Sequence, residues 1–288
     1  MELGQIGVWG RELRAGEEGA RREAAALLEE LGYGTLWFPG GAESDSLDCA
    51  AVVLDATTTA VVGTGITNIW TEPAPEVATK HADLAERHDH RFLLGLGIGH
   101  RPAIDRIEPG LYDKPFSAMV SYIDELDASP TPPPKGERVI AAIGPRMLEL
   151  CRERSAGTHP YLTTPEHTRV AREAVGPDRI VAPEQGVVVE SDPEKARATA
   201  RGFLERYMVL PNYYKNWLRH GFTDDDLRDG GSDRLVDGLI AWGSDEAIAA
   251  RVREHLDAGA DHVCIQVIHD GPEAPVEGWR RMADALIG

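Results

Sequence analysis

The feature that most narrows the choice of fold is a rhythm. Short runs rich in β-branched residues or punctuated by glycine alternate with longer amphipathic runs, the pattern of βα units on a parallel sheet. Strand-like runs fall at residues 3–9, 34–39, 60–69, 92–99, 138–143, 158–163, 180–190 and 262–269. Helical runs fall at 17–31, 46–58, 75–90, 112–127, 145–154, 165–175, 193–208 and 279–287. In the first of these Ala24, Leu27, Leu28 and Leu31 recur at helical spacing. Eight such alternations in 288 residues suit one closed (β/α)8 TIM barrel, residues 1–288 as a single domain, better than an open sheet. Two stretches break the rhythm. The proline-rich run at 129–134 reads as a stiff connector, because the alternation resumes beyond it. The aromatic and charged interval 210–242 reads as an insertion between the seventh and eighth strands, a candidate lid.

Composition removes several function classes. An apolar content of 42% and a charged content of 27% allow a sizeable core. No run approaches the roughly 20 apolar residues of a membrane span, and no basic-then-apolar leader opens the chain. The expectation is a soluble protein. Its three cysteines, Cys49, Cys151 and Cys264, are far apart and odd in number, which fits a reducing cytoplasm. A net charge of −18 argues against nucleic acid and anionic membranes as partners. An acidic surface of this kind is more often a solubility device than a binding signal.

In a barrel of this kind chemistry sits at the C-terminal strand ends. The fourth strand ends with Gly95, Gly97 and Gly99 alternating with aliphatic residues, then His100 and Arg101. One face therefore lacks side chains, so something approaches the backbone closely: a planar cofactor or a packed helix. The spacing is not the dinucleotide fingerprint, and Pro102 follows where a phosphate-binding helix should continue. The third strand carries Gly63 and Gly65 and ends in Thr67, Asn68 and Ile69, either a bulge turned toward a ligand or a strand end reaching solvent. Ile143, Gly144, Pro145, Arg146 and Met147 pass from the fifth strand straight into a helix, whose free N–H groups and Arg146 would suit an anion. His159 and Tyr161 share a face at the sixth strand, as ligand contacts or as satisfied core residues. The histidines His81, His88 and His90 fall toward the opposite, stability-bearing end, so no metal site is expected. Trp9, Trp37 and Trp70 lie near strand ends, as pocket walls or as core.

Four segments together resemble the luciferase-like monooxygenase superfamily, and within it the coenzyme F420-dependent (deazaflavin) oxidoreductases. They are residues 3–9 with 32–37, residues 63–70, residues 92–101, and residues 143–168 with Gly144-Pro145-Arg146-Met147 and His159-Pro160-Tyr161. The resemblance implies a ring system over a bulged third strand near Asn68 and Ile69, often with a non-proline cis peptide. It also implies that Gly97, Gly99 and Ile143 contact the cofactor, that its phosphate is held by His100, Arg101 and the turn from Gly144 to Met147, that His159 and Tyr161 border the ring or its side chain, and that the protein is a homodimer. The Asp-His pair of the family's sugar-phosphate dehydrogenases is missing, since Gly40, Gly41 and Ala42 stand there, so that substrate class does not carry over. The implied reaction is hydride transfer between F420 and a small organic substrate, with His159 as candidate proton donor. The alternatives are an FMN-dependent monooxygenase and a flavin-binding barrel without turnover. A cofactor-free aldolase or isomerase would need a Schiff-base lysine or paired acids at strand ends, and neither is apparent.

Overall fold

A computed structural model describes residues 1–41, 45–269, 271 and 273–288; Ala42 lies outside them. β1 (Ile6–Trp9) is followed by α1 (Glu18–Glu30), β2 (Thr35–Phe38), α2 (Ser46–Asp55), β3 (Val61–Thr64) and β4 (Thr67–Asn68). Next come α3 (Ala74–Arg87), β5 (Phe92–Gly97), α4 (Arg101–Ile107), α5 (Pro115–Asp127), β6 (Arg138–Ile140), α6 (Pro145–Arg154), β7 (Gly157–Thr158) and α7 (Pro165–Val175). The last part holds β8 (Ile180–Val181), β9 (Glu184–Val188), α8 (Pro193–Met208), α9 (Pro211–Arg219), α10 (Asp233–Leu239), β10 (Ile240–Trp242), α11 (Asp245–Asp257), β11 (Val263–Val267) and α12 (Val276–Leu286).

The strands form one parallel sheet in the order β10-β9-β11-β1-β2-β3-β5-β6-β7-β8, with β4 on β5. It curls in the manner of a TIM-like fold. The segment 180–188 receives or gives bonds to residues 156–160 on one side (Ala182 N–H to Thr158 O, 3.0 Å; Glu184 N–H to Pro160 O, 2.9 Å). On its other side Asp261 donates to Val181 O and Cys264 to Pro183 O, both at 3.0 Å. The strands are buried on nearly every residue, as expected for a parallel sheet covered by helices.

Several expected boundaries shift, each for a local reason. The third strand breaks at Gly65–Ile66 into β3 and β4. Only β4 then pairs with the upper part of β5, Thr67 opposite Leu96 and Asn68 opposite Gly97. The seventh strand breaks at Pro183, which has no N–H for the ladder. The sixth keeps only two residues in the sheet, and 159–163 leave it. The interval 210–242 holds α9, α10 and an unforeseen strand: β10 lies parallel to β9, Ile240 opposite Gly186, and α11 follows it. Pro102, expected to prevent a helix, lies in the first turn of α4, where a proline costs nothing. Among the described residues there is no cis peptide bond.

The glycines of β5 have a different cause from a ligand. A Cβ on Gly95 would lie 1.9 Å from the carbonyl oxygen of Thr64, and one on Gly97 would lie 2.2 Å from the Ile66 side chain. The bare face of β5 therefore accommodates the kinked neighbouring strand. Inside the barrel Trp37, fully buried, stacks on His159 with ring centroids 4.3 Å apart. Its indole N–H meets Nε2 of His262 at 3.1 Å. Trp37 is thus core; Trp70 alone of the three tryptophans is half-exposed.

Candidate functional site at the strand ends

Because every strand runs the same way, the C-terminal ends form one rim. On one arc the kink of the third strand brings Asn68 and Ile69 against the end of β5. Ile69 N–H donates to Gly97 O at 3.2 Å, and Trp70 Nε1–H donates to Ile98 O at 2.8 Å. Asn68, nearly buried, spans the gap to the second-strand loop: its Nδ2 donates to Gly41 O at 3.3 Å, and its Oδ1 accepts from Trp70 N at 3.1 Å. A Cβ on Gly99 would sit 3.4 Å from that Nδ2. Arg101 lies over the ring of Tyr112, 5.0 Å from its centroid, and Tyr112 tilts against Trp70. Asn68, Ile69, Gly97, Gly99, His100 and Arg101 are therefore one cluster.

The next strand end carries the turn into α6. Gly144 is its N-cap, with no side chain capping the first N–H groups, and a Cβ there would meet nothing within 4 Å. Pro145 opens the helix, Arg146 lies 4.0 Å over the Phe116 ring, and Met147 packs inward on the core. The carbonyl of Ile143 accepts from His167 Nε2 at 3.1 Å. Half-buried Ile66, Ile69, Ile98 and Ile143 leave apolar surface along this arc.

His159 and Tyr161 part company. His159 is buried one layer below, its Nδ1 2.8 Å from the carbonyl of Ala182. A carbonyl only accepts, so Nδ1 carries the hydrogen and Nε2 is a bare lone pair without a partner. Burial brings its pKa down to about 4, so this imidazole is neutral and cannot donate from Nε2. Tyr161 reaches the rim. Its hydroxyl donates to Gln266 Oε1 at 2.7 Å, lies 3.1 Å from the Tyr207 hydroxyl, and its ring tilts on Trp9.

The centre of the rim is covered by α9. Tyr213 lies between the rings of His100, 5.4 Å away, and Tyr207, also 5.4 Å away, and packs on Trp217. His100 hydrogen-bonds Asn212, and burial lowers its pKa. Beside this cap, at the ends of β1 and β11 and against α8, is a cavity of about 200 Å³ walled by Trp9, Phe203, Gln266 and Ile268, with Arg11 and Arg206 at its edge. A second cavity, of about 560 Å³, is lined by helices and their leads and touches no strand end.

Glu184 was not foreseen. It opens β9, is fully buried, and one carboxyl oxygen accepts from Leu162 N at 3.1 Å while the other has no partner. Burial raises its pKa to about 8, only the Leu162 bond opposing. The signal was present as a polar pair, Glu184-Gln185, inside an otherwise apolar run.

Residues 10–128 match the family model described as luciferase-like monooxygenase. A curated relative, 5,10-methylenetetrahydromethanopterin reductase of Methanolobus tindarius, is 22% identical, over 87% of this chain and 90% of its own. Among solved structures, an F420-dependent secondary alcohol dehydrogenase in complex with an F420-acetone adduct superposes with TM-score 0.73 at 17% identity, covering 100% of this chain and 99% of that one. The coenzyme F420-dependent tetrahydromethanopterin reductase of Methanopyrus kandleri gives 0.71 at 16%, with the same coverage. A type II Baeyer-Villiger monooxygenase from Pseudomonas putida, in complex with FMN, gives 0.68 at 14%, covering 99% and 98%. The chain's resemblance to the luciferase-like monooxygenase family is thereby shown, in sequence over residues 10–128 and in fold over its whole length.

Proposed function

We propose that this protein is an F420-dependent oxidoreductase that moves a hydride to or from a small organic substrate at the C-terminal rim of a (β/α)8 barrel. The observation that carries the reading is the make-up of that rim: a half-buried apolar shelf (Ile66, Ile69, Ile98, Ile143) beside an uncapped helix start and two arginines. That donor set fits a flat ring with an anionic tail. The ring would lie along Asn68–Ile69 and Gly97–Gly99. Arg101, His100 and the turn Ile143–Met147 would hold the phosphate, by charge and by the N–H groups of α6. When bound, a deazaflavin supplies hydride chemistry and resists reaction with oxygen. The protein's own groups orient the ring, keep water out and hold protons. The rim cavity of about 200 Å³ is smaller than the roughly 300 Å³ of the smallest cofactor sites. None of the residues named for the ring or the phosphate lines that cavity. A ring across the centre would meet α9, whose Tyr213 packs on His100. The lid would therefore be α9 within the interval 210–242, while β10 stays paired in the sheet.

The F420-dependent neighbours favour this cofactor. The FMN-containing neighbour supports a second reading, an FMN monooxygenase on the same rim. Fluorescence titration with F420 and with FMN, and the absorbance spectrum of protein purified from a host that makes both, separate them. Preferential binding of F420 is expected; tight FMN binding with none for F420 would sink the first reading. The same reading takes the chain as a single domain, a homodimer and a cytoplasmic protein. Among the described residues, no helix is long and apolar enough to cross a membrane.

A further inference from the structure

On a chain of net charge −18, the rim cavity at the ends of β1 and β11 carries a cation to spare. Among the described residues the only acid on its wall is Glu12, and that carboxylate is already taken. Its Oε1 pairs with Arg11 Nε at 3.2 Å and lies 3.4 Å from His269 Nε2. Arg11 is engaged as well, donating from Nη2 to Gly271 O at 2.8 Å. Arg206, on α8 at the same wall, is not. Its guanidinium lies over the rings of Phe203 and Tyr207, 4.8 and 5.0 Å from their centroids, and among the described residues it forms no ion pair with a carboxylate. Trp9, Phe203 and Ile268 make the rest of the wall largely apolar.

Gln266 adds a directed donor to that wall. An amide oxygen only accepts, so Tyr161 gives its O–H to Gln266 Oε1 at 2.7 Å, and the Tyr207 hydroxyl, 3.1 Å away, then donates to Tyr161. The two tyrosines fix which end of the amide is used. Gln266 Nε2 makes no bond among the described residues and keeps its hydrogens for a ligand. Trp9 borders both this cavity and the shelf. Its ring tilts on Tyr161 at 5.2 Å, and its unpartnered Nε1 lies 2.8 Å from where a Cβ on Gly65 would stand, at the kink that leads into Ile66 and Ile69.

Resting on the oxidoreductase reading above, we propose that this cavity selects the substrate and that the substrate is a small oxo acid, or the hydroxy acid in the reverse direction. Arg206 pairs with the carboxylate, Trp9 and Phe203 pack on the carbon chain, and Gln266 Nε2 donates to the carbonyl oxygen on the side of Tyr161. One spare guanidinium, planar and forked, matches a planar monoanion; a dianionic phosphate would leave charge unmatched. At the roughly 30 Å³ that a water takes up, a cavity of about 200 Å³ admits on the order of seven non-hydrogen atoms. That suits a short oxo acid and excludes a sugar phosphate. The step balances. The carbonyl carbon gains a C–H bond from the hydride of reduced F420 as the C=O π pair moves to oxygen. The oxygen takes up the proton that oxidation of the reduced coenzyme releases, so two electrons and two protons pass in all.

The test uses the full chain, with 4-oxopentanoate and its neutral isostere 4-oxopentanamide as probes. Calorimetric titration, without F420 and again with it, is expected to show the acid bound about tenfold more tightly than the amide, a ratio that shrinks as salt is raised. Arg206→Met keeps an apolar stem, removes the charge and should bring the ratio to about one; Arg206→Lys should restore part of it. A second variant tests the place. Gly202→Leu adds bulk at a wall position where a Cβ meets nothing within 4 Å, suits α8 better than glycine, and should weaken both probes about tenfold or more. With reduced F420, kcat/KM read from the coenzyme absorbance should favour the acid by the same ratio. No binding of the acid, equal binding of acid and amide, a preference that survives Arg206→Met, or binding untouched by Gly202→Leu each overturns the proposal. Titration with F420, run first, separates the two ideas. If F420 does not bind while the acid preference holds, the oxidoreductase reading fails and the anion site stands. If F420 binds and the preference is missing, the substrate class alone fails.

Discussion

Replacing Glu184 with glutamine should change how stability depends on pH, whatever the protein's substrate. The carboxyl is fully buried and its pKa is raised from 4.5 to about 8, so the folded protein holds a proton that the unfolded chain has already released. Between those two values the folded state binds more protons, and stability must fall as pH rises through that window and level off above it. Each unit of separation is worth about 1.4 kcal/mol. The wild type therefore loses about 1 kcal/mol by pH 5, about 3 kcal/mol by pH 7 and about 5 kcal/mol by pH 9, relative to strongly acid reference conditions. Glutamine keeps the shape and can still accept from Leu162 N–H, at the constant cost of an unpaired amide N–H.

The wild-type-minus-variant difference isolates this residue. Buried imidazoles such as His81, His159, His167 and His262 are held down at about 4. They act in the opposite sense, withdrawing stability as pH falls below about 6.5, and are common to both proteins. In urea, with a slope of about 3 kcal/mol per molar, the midpoint gap between the two proteins should change by about 1.3 M from pH 5 to pH 9, in favour of the variant. Parallel midpoints across that range would refute the inference that Glu184 is folded in its protonated form.

Three further outcomes follow from the geometry. Gly95→Ala places a methyl against the Thr64 carbonyl and should cost about 3 kcal/mol in urea denaturation, whereas Gly144→Ala, with open space around it, should stay within about 0.5 kcal/mol. Arg101→Gln and Arg146→Gln should each weaken F420 binding about tenfold by fluorescence titration, and flatten its dependence on salt. Trp217→Phe removes the bond to Leu162 O and should cost about 1 kcal/mol while speeding F420 association in stopped flow, because the cap is less firmly tied.

The layout of strands and helices was legible because hydrophobic periodicity is local, and a parallel sheet buried on both faces writes itself as apolar runs. What escaped depended on partners distant in sequence. The glycines at 95 and 97 correctly signalled close approach, but nothing local said that the approaching group was Thr64 and Ile66 rather than a ring. β10 is three residues long, and only its register on Gly186–Val188 makes it a strand. His159 and Tyr161 were grouped by alternation, yet the chain leaves the sheet after Thr158, so one faces the core stack and the other the rim. Glu184 was readable as a polar residue in an apolar strand, but its significance lies in the one hydrogen bond it makes and the one it lacks.

Those missing bonds bear on where a ligand belongs. Burying a polar atom without a partner costs about 1–3 kcal/mol, and folded proteins keep such atoms few. Here Trp9 Nε1, His100 Nδ1 and His159 Nε2 are unpartnered and lie at or just beneath the C-terminal strand ends, and Glu184 Oε1, at the start of β9, is unpartnered as well. At the other end Arg138, fully buried, donates to Arg154 O at 2.9 Å and pairs with Asp127 at 2.6 Å, and one of its nitrogens, Nη2, has no partner either. A core selected only for stability would have apolar residues at the first four positions. Keeping Trp9, His100 and His159 as hydrogen-bonding groups beneath a tyrosine-lined cap makes sense if that cap opens onto something polar.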